Sequence, residues 1–105
     1  MKKIYLAGKY SADNVMDVLN NIHDGIKKAT EILKAGDVPF CPWLDYQFQL
    51  FDKTLTKEDY YRYSMTWLEV CDEVQVLPNS ENSIGTQNEI KRAKELKIPI
   101  KFIVL

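Results

Sequence analysis

Val74-Gln75-Val76-Leu77-Pro78, a short loop, then Ser83-Ile84-Gly85-Thr86-Gln87-Asn88-Glu89-Ile90 is the stretch on which the reading of this chain turns. An apolar run of strand length is followed by a Ser and a Gly at the start of a helical pattern that continues to about Leu96. Free backbone N–H groups and the positive end of the helix dipole make such a start a landing place for an anion. Glu89 stands six residues after Ser83, about 9 Å along a helix axis at about 1.5 Å per residue. That separation suits a nucleotide, with phosphate at Ser83 and the ribose carbon near Glu89. Taken alone, Ser-x-Gly-x-x-x-Glu also describes an ordinary helix start whose acid faces water and favours the dipole. The rest of the chain has to decide between the two.

Outward from this stretch, strands and helices alternate. Before it, Thr56-Lys57-Glu58-Asp59 opens a helix with a capping-box pattern, Asp replacing the usual Glu. Tyr60, Tyr63, Trp67 and Leu68 mark its expected inner face, and Asp72–Leu77 is the third strand. After it, Ile98-Pro99 breaks the helix, whose core contacts are Ile90, Ala93 and Leu96, and Ile100–Leu105 reads as the last strand. At the start of the chain, Lys3–Ala7 is a continuously apolar segment that suits a strand buried on both faces. Gly8 ends it, and Asp13 or Asn14 is placed to cap a helix. Val15, Leu19, Ile22, Ile26, Ala29 and Leu33 then recur at intervals of three and four, an amphipathic helix that Gly36 stops. Gly25 interrupts this helix for a reason the sequence does not supply, close packing on the sheet being one. Val38–Pro42 is a brief second strand. Trp43 to Leu55 is irregular and dense in aromatic residues (Trp43, Tyr46, Phe48, Phe51), and reads as a lid, a stacking wall, an oligomer contact or plain packing.

The order strand–helix–strand–loop–helix–strand–helix–strand predicts an α/β fold. The expected sheet is doubly wound, Rossmann- or flavodoxin-like and mostly parallel, with four to five strands and flanking helices. In such a sheet a ligand sits at the carboxyl ends of the strands, where strand order reverses. Three loops meet there: Gly8–Asp13, Cys41–Tyr46 and Pro78–Ser83. The opening stretch therefore lands where a ligand is expected.

Composition narrows the classes. One hundred and five residues make one domain over 1–105, and 46% hydrophobic residues suffice for a small core. A net charge of −1 argues against polymeric nucleic acid as partner. No run approaches the roughly 18 apolar residues of a membrane span, and Met1–Gly8 reads as a strand rather than a signal peptide. Cys41 and Cys71 have no metal-ligand spacing with the lone His23, so reduced, buried thiols and a cytoplasmic location are expected, with no metal. His23 lies one residue off the apolar stripe and is expected to border the core. Lys91, Arg92, Lys94 and Lys97 read as a solvated basic face. There is no Ser-His-Asp set, no Walker sequence and no GxGxxG.

Four segments in register resemble the nucleoside 2-deoxyribosyltransferase superfamily. They are Lys3-Ile4-Tyr5-Leu6-Ala7-Gly8, Gly36-x-x-Pro39-Phe40-x-Pro42, Trp67-Leu68-x-x-Cys71-Asp72-x-Val74, and Ser83-x-Gly85-x-x-x-Glu89-Ile90-x-x-Ala93. The likeness spans nearly the whole chain. It is strongest to small bacterial and phage members and, among characterised ones, to 2'-deoxynucleoside 5'-monophosphate N-hydrolases. The resemblance implies N-glycosidic bond hydrolysis or deoxyribosyl transfer on a nucleoside or (deoxy)nucleotide, without cofactor, in a homo-oligomer. Glu89 matches the glutamate that attacks C1', and Tyr5 the tyrosine near it. Ser83 matches a phosphate-contacting serine, with Gly85 allowing close backbone approach. Gly8, Lys9 and Ser11 fall in the first loop, where the hydrolases bind substrate phosphate. Asp72 matches a Cys-Asp pair before the third strand. The hydrolases also carry an aspartate three residues before the tryptophan of the middle helix. Ser64 stands there in this sequence, and a serine cannot act as a general acid near neutral pH. Asp59, Asp45 or Tyr63 would have to replace it. A non-catalytic nucleotide-binding or sensing module is the alternative reading of the same site.

Overall fold

The computed structural model describes residues 1–104, with Leu44 described by its backbone. The chain runs β1 (Lys3–Ala7), α1 (Val15–Lys34), β2 (Val38–Phe40), a 3-10 turn (Pro42–Leu44), α2 (Asp45–Phe51), α3 (Lys57–Leu68), β3 (Glu73–Val76), α4 (Ile84–Glu95) and β4 (Ile100–Phe102). The four strands form one sheet in the order β2-β1-β3-β4, with every pair parallel. β1 is central. The chain leaves it to one side for β2 and returns on the other side for β3, so the reversal point lies between β1 and β3. Leu105, the end of the expected last strand, lies outside the described residues.

The unbroken apolar run of β1 is explained by its two neighbours. Ile4 and Leu6 point to one face, where Ala29 and Ile32 of α1 and Trp43 cover them. Tyr5 and Ala7 point to the other, where Met65, Leu68, Ile90 and Ala93 of α3 and α4 join Val74 and Val76. The helix signals act as read. Asn14 caps α1, its side chain accepting from the Asp17 amide, and Gly36 follows the helix at φ +101°, where a side chain would be strained. Thr56 and Asp59 form a complete capping box on α3. Ser83 caps α4.

Several expectations are corrected. The apolar stripe of α1 does not face the sheet squarely. Gly25, Ala29 and Ile32 are buried, whereas Val15, Leu19, Ile26 and Leu33 are 43% to 63% exposed. The stripe is wider than the contact. On α3 the buried residues are Ser64, Met65 and Leu68, while Trp67 remains 48% exposed and Tyr60 and Tyr63 are half-buried. Trp67 is held instead by stacking on Phe40, which also meets Tyr5 and Tyr63. His23 is exposed on α1 rather than bordering the core. Of the two free thiols, Cys71 is buried and Cys41 only partly so. β2, β3 and β4 are each shorter than their apolar runs suggest.

Gly25 has its explanation in the aromatic segment. A Cβ there would stand 2.8 Å from Cη2 and Cζ3 of Trp43. The indole lies against the bare helix backbone and is 2% exposed. Trp43 is thus core, not lid. Phe48 packs edge-on against Tyr63, and Leu50 and Phe51 stay exposed.

Candidate active site

At the carboxyl ends of β1 and β3 a cavity of about 240 Å³ opens beside the start of α4. It is bounded by Gly8, Tyr10 and Ser11 after β1, Asp45 at the start of α2, and Tyr60, Ser64 and Met65 of α3. Ser83, Gly85, Thr86 and Glu89 close the α4 side. The chain reversal therefore gathers the three loops expected to meet there, and α3 adds a wall that the loops alone did not predict.

Glu89 lies on the inward face of α4 with Thr86, Ile90 and Ala93, and is 8% exposed. Tyr5, fully buried in the central strand, donates its hydroxyl to Glu89 Oε2. Burial pushes the Glu89 carboxyl up to about 8; the Tyr5 hydrogen bond opposes this and the charge of Asp45 adds to it. Burial and then the negative charge of Glu89 push the Tyr5 hydroxyl well above its ordinary value, so it stays a donor. Glu89 therefore keeps its proton to a higher pH than an ordinary carboxyl does.

Ser83 spends its side chain on the helix start. Its Oγ accepts from the Thr86 amide at 3.2 Å and the Thr86 hydroxyl at 3.0 Å. Its own hydroxyl hydrogen remains to be donated. The amides of Ile84 and Gly85, first in α4, have no intrahelical acceptor. A Cβ on Gly85 would meet nothing within 4 Å, so the glycine keeps this helix end open. Gly8 is closed in: a Cβ there would stand 2.8 Å from Leu77 Cδ1, which fixes the path of the first loop.

Of the residues expected from sequence, Tyr5 touches Glu89, and Gly8, Ser11, Ser83, Gly85 and Glu89 border this cavity. Lys9 does not. Its amide donates to Ser80 Oγ at 3.2 Å, and the residue borders a separate space of about 510 Å³ between α1 and the Leu77–Ser80 loop. Asp72 is exposed at the opposite end of the sheet, accepting from the Lys3 amide, a structural role. Tyr10, Tyr60 and Thr86 were not foreseen. Thr86 is 1% exposed, and the signal for it was its place one turn before Glu89 on the same face. Asp45 and Ser64 are both buried at the cavity wall. Among the described residues no cluster of three His, Cys, Asp or Glu side chains could hold a metal ion. No helix of the described chain is long and apolar enough to cross a membrane.

A family model described as "Domain of unknown function (DUF7768)" matches residues 2–103. The chain belongs to the DUF7768 family. No curated protein matches it. A solved structure that superposes on this DUF7768 chain is a 2-deoxyribosyltransferase from the psychrotolerant bacterium Bacillus psychrosaccharolyticus, described as a biocatalyst for nucleoside synthesis. The two share a TM-score of 0.68 at 17% identity, over 95% of this chain and 70% of that one. At this identity the likeness is one of fold. The DUF7768 chain thus carries the nucleoside deoxyribosyltransferase-like α/β architecture.

Proposed function

We propose that this protein cleaves the N-glycosidic bond of a (deoxy)nucleoside 5'-monophosphate, by hydrolysis or by transfer to another base, with Glu89 as nucleophile. The observation that carries the reading is the buried Glu89–Tyr5 pair facing a cavity beside an open helix start. A carboxylate within reach of C1' can trap an oxocarbenium-like centre as a glycosyl-enzyme, which water or an acceptor base then resolves. Tyr5 fixes one carboxyl oxygen, leaving the other for attack. The Ser83 hydroxyl and the Ile84 and Gly85 amides suit a phosphate group, with Ser11 across the mouth. Lys9, expected from the sequence to share this role, borders the neighbouring space and is not assigned to it. The chemistry needs no cofactor, because a protonated base is a competent leaving group. The partners are then a small nucleotide or nucleoside and further copies of the chain, as in the homo-oligomer that the resemblance implies.

The test is base release. Nucleoside and deoxynucleoside 5'-monophosphates are incubated with the protein and the products separated by chromatography. Free base from at least one of them, absent with Glu89→Ala, is expected. Turnover unchanged in that variant would remove Glu89 from the mechanism. A second reading, a nucleotide-binding module without chemistry, is favoured by Ser64, a hydroxyl where the resembling hydrolases have an acid. It predicts saturable thermal stabilisation, about 2.7 kcal/mol at a ligand concentration of 100 Kd, with no product.

A further inference from the structure

The cavity holds a second carboxylate besides Glu89. Asp45 is 5% exposed, yet its Oδ1 has no hydrogen-bond partner among the described residues. A buried carboxylate with a purely structural role has its oxygens satisfied, because an orphaned one costs stability. The Tyr60 hydroxyl, at the same cavity, is also buried without a partner. Two unpaired polar groups on residues that border one cavity point to a ligand that pairs with them. Asp45 and Glu89 are the only carboxylates on that wall among the described residues. They belong to different elements, which frees each for a different part of a substrate.

The position of Asp45 is fixed from behind. Its amide donates to the Pro42 and Trp43 carbonyls, closing the 3-10 turn, and Trp43 is seated against Gly25. Burial pushes its carboxyl up to about 6, against the lowering contacts of the Tyr10 hydroxyl and the Tyr46 backbone, so it can carry a proton close to neutrality.

We propose that Asp45 is the general acid of this site, supplying the proton that a serine at position 64 cannot. The proposal rests on the N-glycosidase reading. In the first step an oxygen of ionised Glu89 bonds to C1' as the C1'–N bond breaks. The bonding pair leaves with the base, whose nitrogen takes the Asp45 proton. In the second step water attacks C1', Asp45 takes a proton from that water, and the bond to Glu89 breaks. The net change is addition of one water across the glycosidic bond, with both carboxyl groups restored.

The experiment compares leaving groups. Asp45→Asn is expected to lower kcat/KM by about 100-fold or more on ordinary nucleoside 5'-monophosphates. With an N7-methylated purine nucleotide, whose base departs without a proton, the loss should be at least about tenfold smaller, because acid catalysis no longer contributes. Glu89→Ala should be inactive on both. Placing the acid on α3, by Ser64→Asp in the Asp45→Asn protein, should recover part of the lost rate on ordinary substrates. Equal losses on both substrate types, or none on either, would overturn the acid role while leaving Glu89 and the reaction in place. Wild-type protein that releases base from neither type would overturn the N-glycosidase reading, and the acid role with it. If Asp45→Asn fails to fold, Asp45→Glu undergoes the same comparison: it displaces the acid by one methylene, so a loss larger on ordinary nucleotides than on the N7-methylated one supports the role, and an equal loss or none overturns it.

Discussion

Glu89 and Asp45 share a cavity and do not titrate independently. Burial raises both, and the charge of Asp45 raises Glu89 further, so the pair takes up its protons in two steps near about 6 and about 8. Between them the site holds one proton, mostly on Glu89. A nucleophilic Glu89 needs that proton on Asp45, so only a minor fraction of the singly protonated protein is poised for reaction. Both limbs of the rate profile still follow the two shared steps. The expected outcome is a bell-shaped dependence of kcat/KM on pH with its maximum between about 6 and about 8. In Asp45→Asn the falling alkaline limb should vanish and the rate should rise with pH through the Glu89 value to a plateau. That value should itself move down, since a neighbouring negative charge is gone. Persistence of the alkaline limb would contradict the assignment. Glu89 was legible in sequence because it follows a Ser-x-Gly helix start at six residues and matches the glutamate of the resembling superfamily. Asp45 was legible only as one of three candidates beside Asp59 and Tyr63, because its segment has no period from which a facing direction can be read.

At the level of elements, the decisive contact joins α1 to the 3-10 turn. Gly25→Ala puts a methyl 2.8 Å from the indole of Trp43, a ring that is itself buried, so one of the two must shift. Overpacking of this kind costs about 1–3 kcal/mol. Since the Trp43 turn also sets the place of Asp45, base release should fall as well as melting temperature. A melting shift with unchanged turnover would show that the turn tolerates displacement. Helix starts and stops were readable in advance at Asn14, Thr56, Ser83 and Gly36, because capping is a local affair of side chain and adjacent amides. Which face of α1 is covered was not, since that depends on a tryptophan eighteen positions away filling the space at Gly25. Strand ends were overrun for a similar reason: apolar residues continue past the last paired position into the loops, as at Leu77 and Ile103.

The whole molecule leaves an apolar surface on one flank. Val15, Leu19, Ile26 and Leu33 project from α1, and with Ile22 and Ala29 their intervals run four, three, four, three, four. Ile22 and Ala29 turn toward the sheet, so the four exposed residues form one apolar face that can meet the same face of a second copy about a twofold axis. The proposed homo-oligomer is therefore expected to form through α1. Light scattering of the wild type should give a multiple of 12.2 kDa, and Leu19→Lys with Ile26→Lys should return it to that mass without unfolding it. An oligomer that survives both changes would place the interface elsewhere. The mostly parallel sheet was foreseen from element order alone; that its reversal lies beside β1 is a finding of the structure. The order does not show that α3 would wall the cavity, because that depends on how far the helix reaches over the strand ends.

Two tryptophans lie in different surroundings, one sealed at position 43 and one half in water at position 67. Replacing Trp67 by Phe keeps an aromatic ring against Phe40 and leaves a single indole, attached to the turn that carries Asp45. Its emission then comes from one apolar environment two residues from the proposed acid, and its wavelength and quenching read the state of that corner directly. A ligand that moves the Asp45 turn is expected to shift that emission, whether or not the ligand is turned over.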